Sequence, residues 1–243
     1  LKIALVYGGQ PRFTPDFLDL MSQLKGFEFA DIYMCLWQTE WANNNETAER
    51  KISKILTGNY RIGKIKIADE PNYKLPPHTS ELSEDIHFWG KRGYAQTNGL
   101  NMAFNLIDDE YDAIIRFRAD GRLDRTINLN DFNLDDDSLI TPNGPISGHN
   151  GYMINDQFAI GNQESMKFYC SLSKEYEELI IESQPSWETT PVGWTLDYLY
   201  GTYYKKYNKK FSYGDFQYII NNYGRSKYTD KHYHHRIAPD PTE

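Results

Sequence analysis

The chain has 243 residues, 40% of them hydrophobic and 25% charged, and a formal net charge of −8. That length suffices for one large domain with a substantial core, and the acidic balance argues against a general nucleic-acid binder, which needs a basic surface. No run approaches the roughly 18 apolar residues of a membrane span, no secretory signal is apparent, and Cys35 and Cys170 stand far apart in apolar contexts, so a cytoplasmic chain with buried free thiols is expected.

Residues 2–7 form an apolar run that stops at Gly8-Gly9-Gln10-Pro11-Arg12. Uninterrupted apolar strands belong to parallel sheets covered on both faces. A helix is predicted next, with Thr14 as N-cap, Pro15 at the first helical position and Phe17, Leu20, Met21 and Leu24 at helical spacing before Gly26. Residues 31–37 are a second apolar strand. Such a strand–helix–strand unit is right-handed and carries its loops at the C-terminal strand ends, where ligands of open α/β sheets bind. Gly8, Gly9, Gln10 and Arg12 are therefore candidate contacts for a phosphate or nucleotide, the glycines permitting close backbone approach. The loop has neither Rossmann nor P-loop spacing, and a tight turn with a surface arginine is the plainer alternative.

A short helix is predicted within 45–57, a strand over 64–68 and a polar, proline-containing loop over 69–85. Residues 93–108 have helical spacing through Leu100, Ala103, Phe104 and Ile107. Gly93 and Gly99 would each weaken that helix by up to about 1 kcal/mol, and fit a close approach to a ligand or a neighbouring strand.

Residues 111–121, YDAIIRFRADG, begin as an apolar strand and end in charge. With period-two alternation, Arg116, Arg118 and Asp120 share one face, while Phe117 and Ala119 share the other. Charges at the end of a buried strand need counter-charges: a phosphorylated ligand, a metal, or one another as an internal ion-pair cluster. Guanidinium forks match phosphate oxygens, and an adjacent carboxylate suits Mn²⁺ or Mg²⁺.

Beyond this stretch, Asp135-Asp136-Asp137 looks like a solvated loop and 139–142 like a short strand. Residues 152–161 have apolar flanks around the triplet Asn155-Asp156-Gln157, so Asp156 is either locally capped or presented into a cleft, where it could serve as a general base. A long amphipathic helix is predicted over 163–181. A loop over 184–191 carries Trp187 and Glu188, which suit a sugar ring through stacking and hydroxyl hydrogen bonds, although Trp187 serves equally as packing. Another helix is predicted with Thr190 as cap and Pro191 at its first position. Lys205, Lys206, Lys209 and Lys210 look like a solvated basic patch. The tail holds His232, His234 and His235; clustered histidines can bind metal, but in a terminal tail a solvated cluster without that role is the plainer reading. No Gly-x-Ser-x-Gly and no paired-cysteine pattern occurs, which disfavours a serine hydrolase or zinc finger.

Four blocks in order, LVYGGQPRF, DIYMCLW, RFRAD and NDQFAIG leading into a helix, resemble a group of bacterial and viral glycosyltransferases over roughly residues 1–200. The resemblance implies a single GT-A-like α/β domain over 1–243: a mixed, mostly parallel sheet flanked by helices, with a nucleotide-sugar donor half over 1–120 and an acceptor half with the C-terminal tail over 121–243. It sets Arg-x-Arg-x-Asp where GT-A enzymes carry Asp-x-Asp. Arg118 replaces the first aspartate, so either Asp120 alone holds Mn²⁺ or Mg²⁺, or Arg116 and Arg118 take over part of its charge-neutralising work. A metal-binding histidine often comes late in GT-A chains, which makes the tail histidines candidates.

The function expected is transfer of a sugar from a nucleotide-sugar donor to a hydroxyl acceptor, a saccharide. Gly8, Gly9, Gln10, Arg12, Arg116 and Arg118 would serve the donor and Asp120 the metal. Asp156 would be general base, with Asn155, Gln157, Trp187 and Glu188 near the acceptor. The alternatives are a catalytically silent sugar- or nucleotide-binding module, and a GT-A-like nucleotidyltransferase, which the lysine-free first loop disfavours.

Overall fold

Two uninterrupted apolar runs, β1 (Lys2–Gly9) and β3 (Phe29–Trp37), pair in parallel and form the middle of the molecule. This computed structural model describes residues 1–13, 15–74, 84–134, 138–142, 154–187 and 196–220, with the backbone alone for 84–89 and 183–187. β4 (Tyr60–Ala68) continues the sheet beyond β3, and β5 (Ala113–Arg116) lies on the other side of β1. Then come β9 (Ala159–Gly161), β8 (Leu139–Pro142) and β10 (Phe211–Gly214), giving seven strands in the order β10-β8-β9-β5-β1-β3-β4. Only β9 runs antiparallel to its two neighbours, β5 and β8; the other pairings are parallel. The expected mixed, mostly parallel sheet is therefore present as one continuous unit.

Both faces are covered, as continuous apolar strands require. Ile3 and Leu5 of β1, with Ile32 and Met34 of β3, pack under α1 (Pro15–Gln23) and α2 (Asn45–Ser53) through Phe17, Leu20 and Ile52. Ala4, Val6 and Cys35 face the opposite layer, where α3 (Glu84–Phe104), α4 (Gln163–Cys170), α5 (Tyr176–Trp187) and α6 (Leu196–Lys206) contribute Leu100, Met166, Leu179 and Leu199. Both cysteines are buried and unpaired, and burial pushes the Cys35 thiol up to about 11.

One contact sets how closely α3 lies on the sheet. A Cβ on Gly8 would stand 2.1 Å from the Gly99 carbonyl carbon, and a Cβ on Gly99 would meet the Trp37 ring at 2.8 Å and the Gly8 carbonyl carbon at 3.2 Å. Two glycines let a strand end and a helix touch backbone to backbone. The close approach of the helix therefore requires glycine at position 8.

Several boundaries differ from the sequence expectation. α3 begins at Glu84, earlier than 93, because its glycines are packing sites rather than breaks: a Gly93 Cβ would stand 2.3 Å from the Tyr176 hydroxyl. The long helix expected over 163–181 is two. Asn162 caps α4 through its side chain, a 3₁₀ turn over Leu172–Lys174 follows, and α5 restarts at Tyr176 with Glu177 and Glu178 in its first turn, where the helix dipole favours them. α5 continues through Pro185 to Trp187. The predicted cap and first position at Thr190 and Pro191 lie outside the described residues, as do Thr14, Asp135–Asp137 and the tail histidines.

Two small pairings complete the fold. β6 (Gly121–Leu123) is antiparallel to β11 (Tyr218–Ile220), and β2 (Leu24–Lys25) is parallel to β7 (Ile127–Asn128). The first of these returns the chain's last described strand to the segment just after Asp120.

Candidate functional site

Register gathers three segments at one edge of the sheet. Val6 lies level with Arg116 across β1 and β5, and Arg116 lies level with Ala159 across β5 and β9. Because β9 is antiparallel, its entry rather than its exit meets the exits of β1 and β5. The loop after Gly9, the segment 117–120 and the turn 155–158 therefore open together.

Arg118 and Asp120 form a fork. Nε of Arg118 donates to Oδ1 of Asp120 at 2.8 Å and Nη2 to Oδ2 at 2.7 Å, with side chains 17% and 12% exposed. Burial works against the Arg118 cation, but the carboxylates of Asp120 and then Asp156 outweigh it and push its pKa up, so it is charged at every working pH. Its backbone is held as well. The Tyr218 hydroxyl donates to the Arg118 carbonyl at 2.6 Å and accepts from the Arg118 N–H at 3.2 Å, while the Tyr218 ring stacks on Phe158. One aromatic residue thus joins the 117–120 segment to the 155–158 turn.

Arg116 is placed differently. It is 1% exposed, on the α3–α6 side of the sheet near the stacked pair Tyr169 and Tyr200, whose phenols feel its charge. Nη1 donates to the Phe117 carbonyl, and Nε is buried with no hydrogen-bond partner among the described residues. A buried guanidinium so incompletely satisfied is costly.

On the first loop, Gly9 has φ 135°, in the region that favours glycine, and the Tyr7 hydroxyl donates to the Gln10 carbonyl. Burial, and then the Asp120 charge, push Tyr7 up to about 12, so its phenol stays a neutral donor. Arg12 is exposed and its Nη2 donates to the Gln10 side-chain oxygen. These two expected donor contacts share the site's rim.

The Asn155-Asp156-Gln157 triplet is a turn before β9 rather than the middle of a strand. The Asn155 side-chain oxygen accepts from the N–H groups of Gln157 and Phe158, both at 2.9 Å, and its carbonyl accepts from the Tyr169 hydroxyl. Asn155 thus builds the turn. Asp156 and Gln157 are each 8% exposed. Oδ2 of Asp156 accepts from Nε2 of Gln96 on α3 at 2.9 Å, and the Asp156 N–H donates to Oδ1 of Asp197 on α6 at 3.0 Å. Of the remaining expected acceptor contacts, the Trp187 side chain and the whole of Glu188 lie outside the described residues.

Tyr7, Gln96, Asp197 and Tyr218 are the supporting residues that sequence reading missed. Tyr7 carried a signal, a polar tip closing an apolar strand. Gln96 and Tyr218 carried none, because their partners lie 60 and 100 residues away.

A divalent metal does not fit Asp120 as it stands. Both oxygens of that carboxylate are engaged by a guanidinium, and no group of three His, Cys, Asp or Glu side chains that could hold an ion occurs among the described residues.

No protein-family model matches the chain, and no curated protein sequence matches it. Among solved structures, the chain is similar to the apo form of mouse xyloside xylosyltransferase 1, with a TM-score of 0.42 and 13% identity, covering 88% of this chain and 84% of that one. It is also similar to the glycosyltransferase GlyE of Streptococcus pneumoniae TIGR4, with a TM-score of 0.43 and 9% identity, covering 88% of this chain and only 45% of that one. At TM-scores this low, the overlaps assign neither a reaction nor a substrate.

Proposed function

We propose that this chain is a glycosyltransferase, taking a nucleotide-sugar donor at the loop edge of its sheet and moving the sugar to a hydroxyl of a saccharide acceptor. The observation that carries the reading is the meeting of the Gly8–Arg12 loop, the Arg118–Asp120 fork and the Asp156 turn at the C-terminal ends of parallel strands, the position where ligands of open α/β sheets bind. In this reading Gln10 and Arg12 meet the nucleotide or its diphosphate, and Arg118 presents a guanidinium edge to phosphate oxygens. Arg116 supplies positive charge from behind. Gln96 holds Oδ2 of Asp156, and Oδ1 takes the proton of the acceptor hydroxyl as the sugar is transferred.

Isothermal titration of the purified chain with UDP-, GDP- and CMP-linked nucleotides, with and without Mn²⁺, tests the donor site; absence of binding to all of them sinks the reading. A catalytically silent binding module is the second reading, favoured by the closed fork in which Arg118 occupies both oxygens of Asp120. Donor hydrolysis separates the two. Slow release of free sugar by the wild type, abolished in Asp156→Ala, excludes the silent module. Nucleotide binding with no release in the wild type excludes the transferase.

A further inference from the structure

Arg118 and a divalent ion would compete for one carboxylate. A divalent ion such as Mg²⁺ is held by one or two carboxylates together with waters and substrate phosphates, yet both Asp120 oxygens accept from Arg118, at 2.8 and 2.7 Å. The next carboxylate, Asp156, already gives one oxygen to Gln96. An ion at Asp120 would also lie against a permanently charged guanidinium that is only 17% exposed, where like charges are poorly screened.

We propose that Arg118 is the resident cation of the donor site, seated on Asp120 where a divalent ion would otherwise sit, so that a nucleoside diphosphate group binds without a metal. The inference rests on the donor-site reading above and deepens it. A guanidinium has five N–H donors in a planar fork. Asp120 takes the Nε and Nη2 edge, and the Nη1 edge serves a phosphate oxygen. Asp120 then orders the arginine, in place of ligating an ion. Arg116 adds a buried positive charge whose Nε has no hydrogen-bond partner among the described residues, and Arg12 adds an exposed one at the rim. Asp120, Asp156 and Asp197 are the carboxylates on the same edge, so the charges there are nearly balanced before a ligand arrives, and it is the guanidinium groups that suit an incoming diphosphate.

The experiment titrates UDP and GDP into the wild type in EDTA and in Mn²⁺, and follows thermal unfolding with Mn²⁺ alone. The expected result is nucleotide affinity equal within about twofold in the two buffers, with no shift of the wild-type Tm by Mn²⁺. Arg118→Lys, which keeps the charge and loses the fork, should weaken UDP by about tenfold. Arg118→Asp, which sets two carboxylates in place of the fork, should gain a Tm rise with Mn²⁺ that the wild type lacks. If that variant does not fold, the wild-type comparison decides alone. Nucleotide binding that vanishes in EDTA, together with a Mn²⁺-induced Tm rise lost in Asp120→Asn, overturns the proposal and leaves the donor-site reading standing. Absence of UDP and GDP binding in both buffers overturns both.

Discussion

Two arginine–aspartate forks stand at opposite ends of the same sheet, alike in bonding and different in setting. At the strand-start end, Arg61 on β4 donates through Nε and Nη2 to Asp31 on β3, at 2.7 and 2.8 Å. Its side chain is 55% exposed and lies over the Phe29 ring, while the Asp31 carboxylate also accepts from the Tyr111 hydroxyl, itself bonded to Tyr33. That network is a staple: an ion pair with one arm in solvent, the more distant Lys2 charge over the Tyr111 ring, and hydroxyls closing the rest. At the strand-end edge the Arg118–Asp120 fork has both arms largely out of solvent and two further buried charges beside it, Arg116 and Asp156. A bidentate fork is therefore not itself a mark of function. The mark is a cluster of two cations and two carboxylates held together in low dielectric, with the Arg116 Nε left without a hydrogen-bond partner among the described residues.

The largest effect should come from breaking the enclosed fork. Asp120→Asn leaves Arg118 buried without its closest counter-charge and should cost about 3 kcal/mol in urea unfolding. A loss no greater than that of the matching change at Asp31 would erase the distinction between the two ends. Arg116→Met sharpens it from the other direction. Replacing an incompletely bonded buried cation with an apolar side chain of similar length should raise stability by about 1–2 kcal/mol, while UDP affinity in titration falls about tenfold. A destabilised Met variant with unchanged affinity would make Arg116 structural instead.

Asp31→Asn should cost less, about 1 kcal/mol, because Arg61 can turn to water and the chief loss is the Tyr111 hydrogen bond; nucleotide binding should not change. The smallest effect is in its pH dependence. Burial pushes the Asp31 carboxyl up, but the hydrogen bonds from Arg61 and Tyr111 and the Arg61 charge outweigh it and hold it below its ordinary 3.8. The unfolded chain therefore takes up this proton first as pH falls. The contribution is complete above the ordinary value and is lost as pH drops through the native one, so the gap between wild type and Asp31→Asn should narrow on going from about pH 7 to about pH 3. A constant gap would show that the Asp31 charge adds nothing to the staple.

Much of the strand-end site was legible residue by residue, and little of it as an arrangement. The alternation that sets Arg116, Arg118 and Asp120 apart from Phe117 and Ala119 holds, since the last two enter the α1–α2 core. The fork did not follow from that alternation. In a regular strand, positions two apart are separated by about 6.6 Å along the axis, a distance an arginine can span but that alternation alone does not close. β5 ends at Arg116, and the turn at 119–120 brings the two side chains together. Asn155 looked like a ligand contact because a polar residue among apolar ones invites that reading, yet its oxygen is spent on two backbone N–H groups of its own turn.

By itself, the sequence determined the α/β class, the central strands and the identity of the three polar segments, because periods of two and 3.6 residues and helix-start preferences act over a few residues. Tertiary structure alone decided that β9 runs antiparallel and so delivers Asp156 to the exits of β1 and β5. It also decided that Gly8 serves helix α3, that Gln96 and Asp197 hold Asp156, and that Tyr218 ties Arg118 from 100 residues away. These outcomes depend on strand order, register and close packing, which no local window of residues contains. The distinction between a staple and a candidate site belongs to them as well, since both ends of the sheet use the same two residue types.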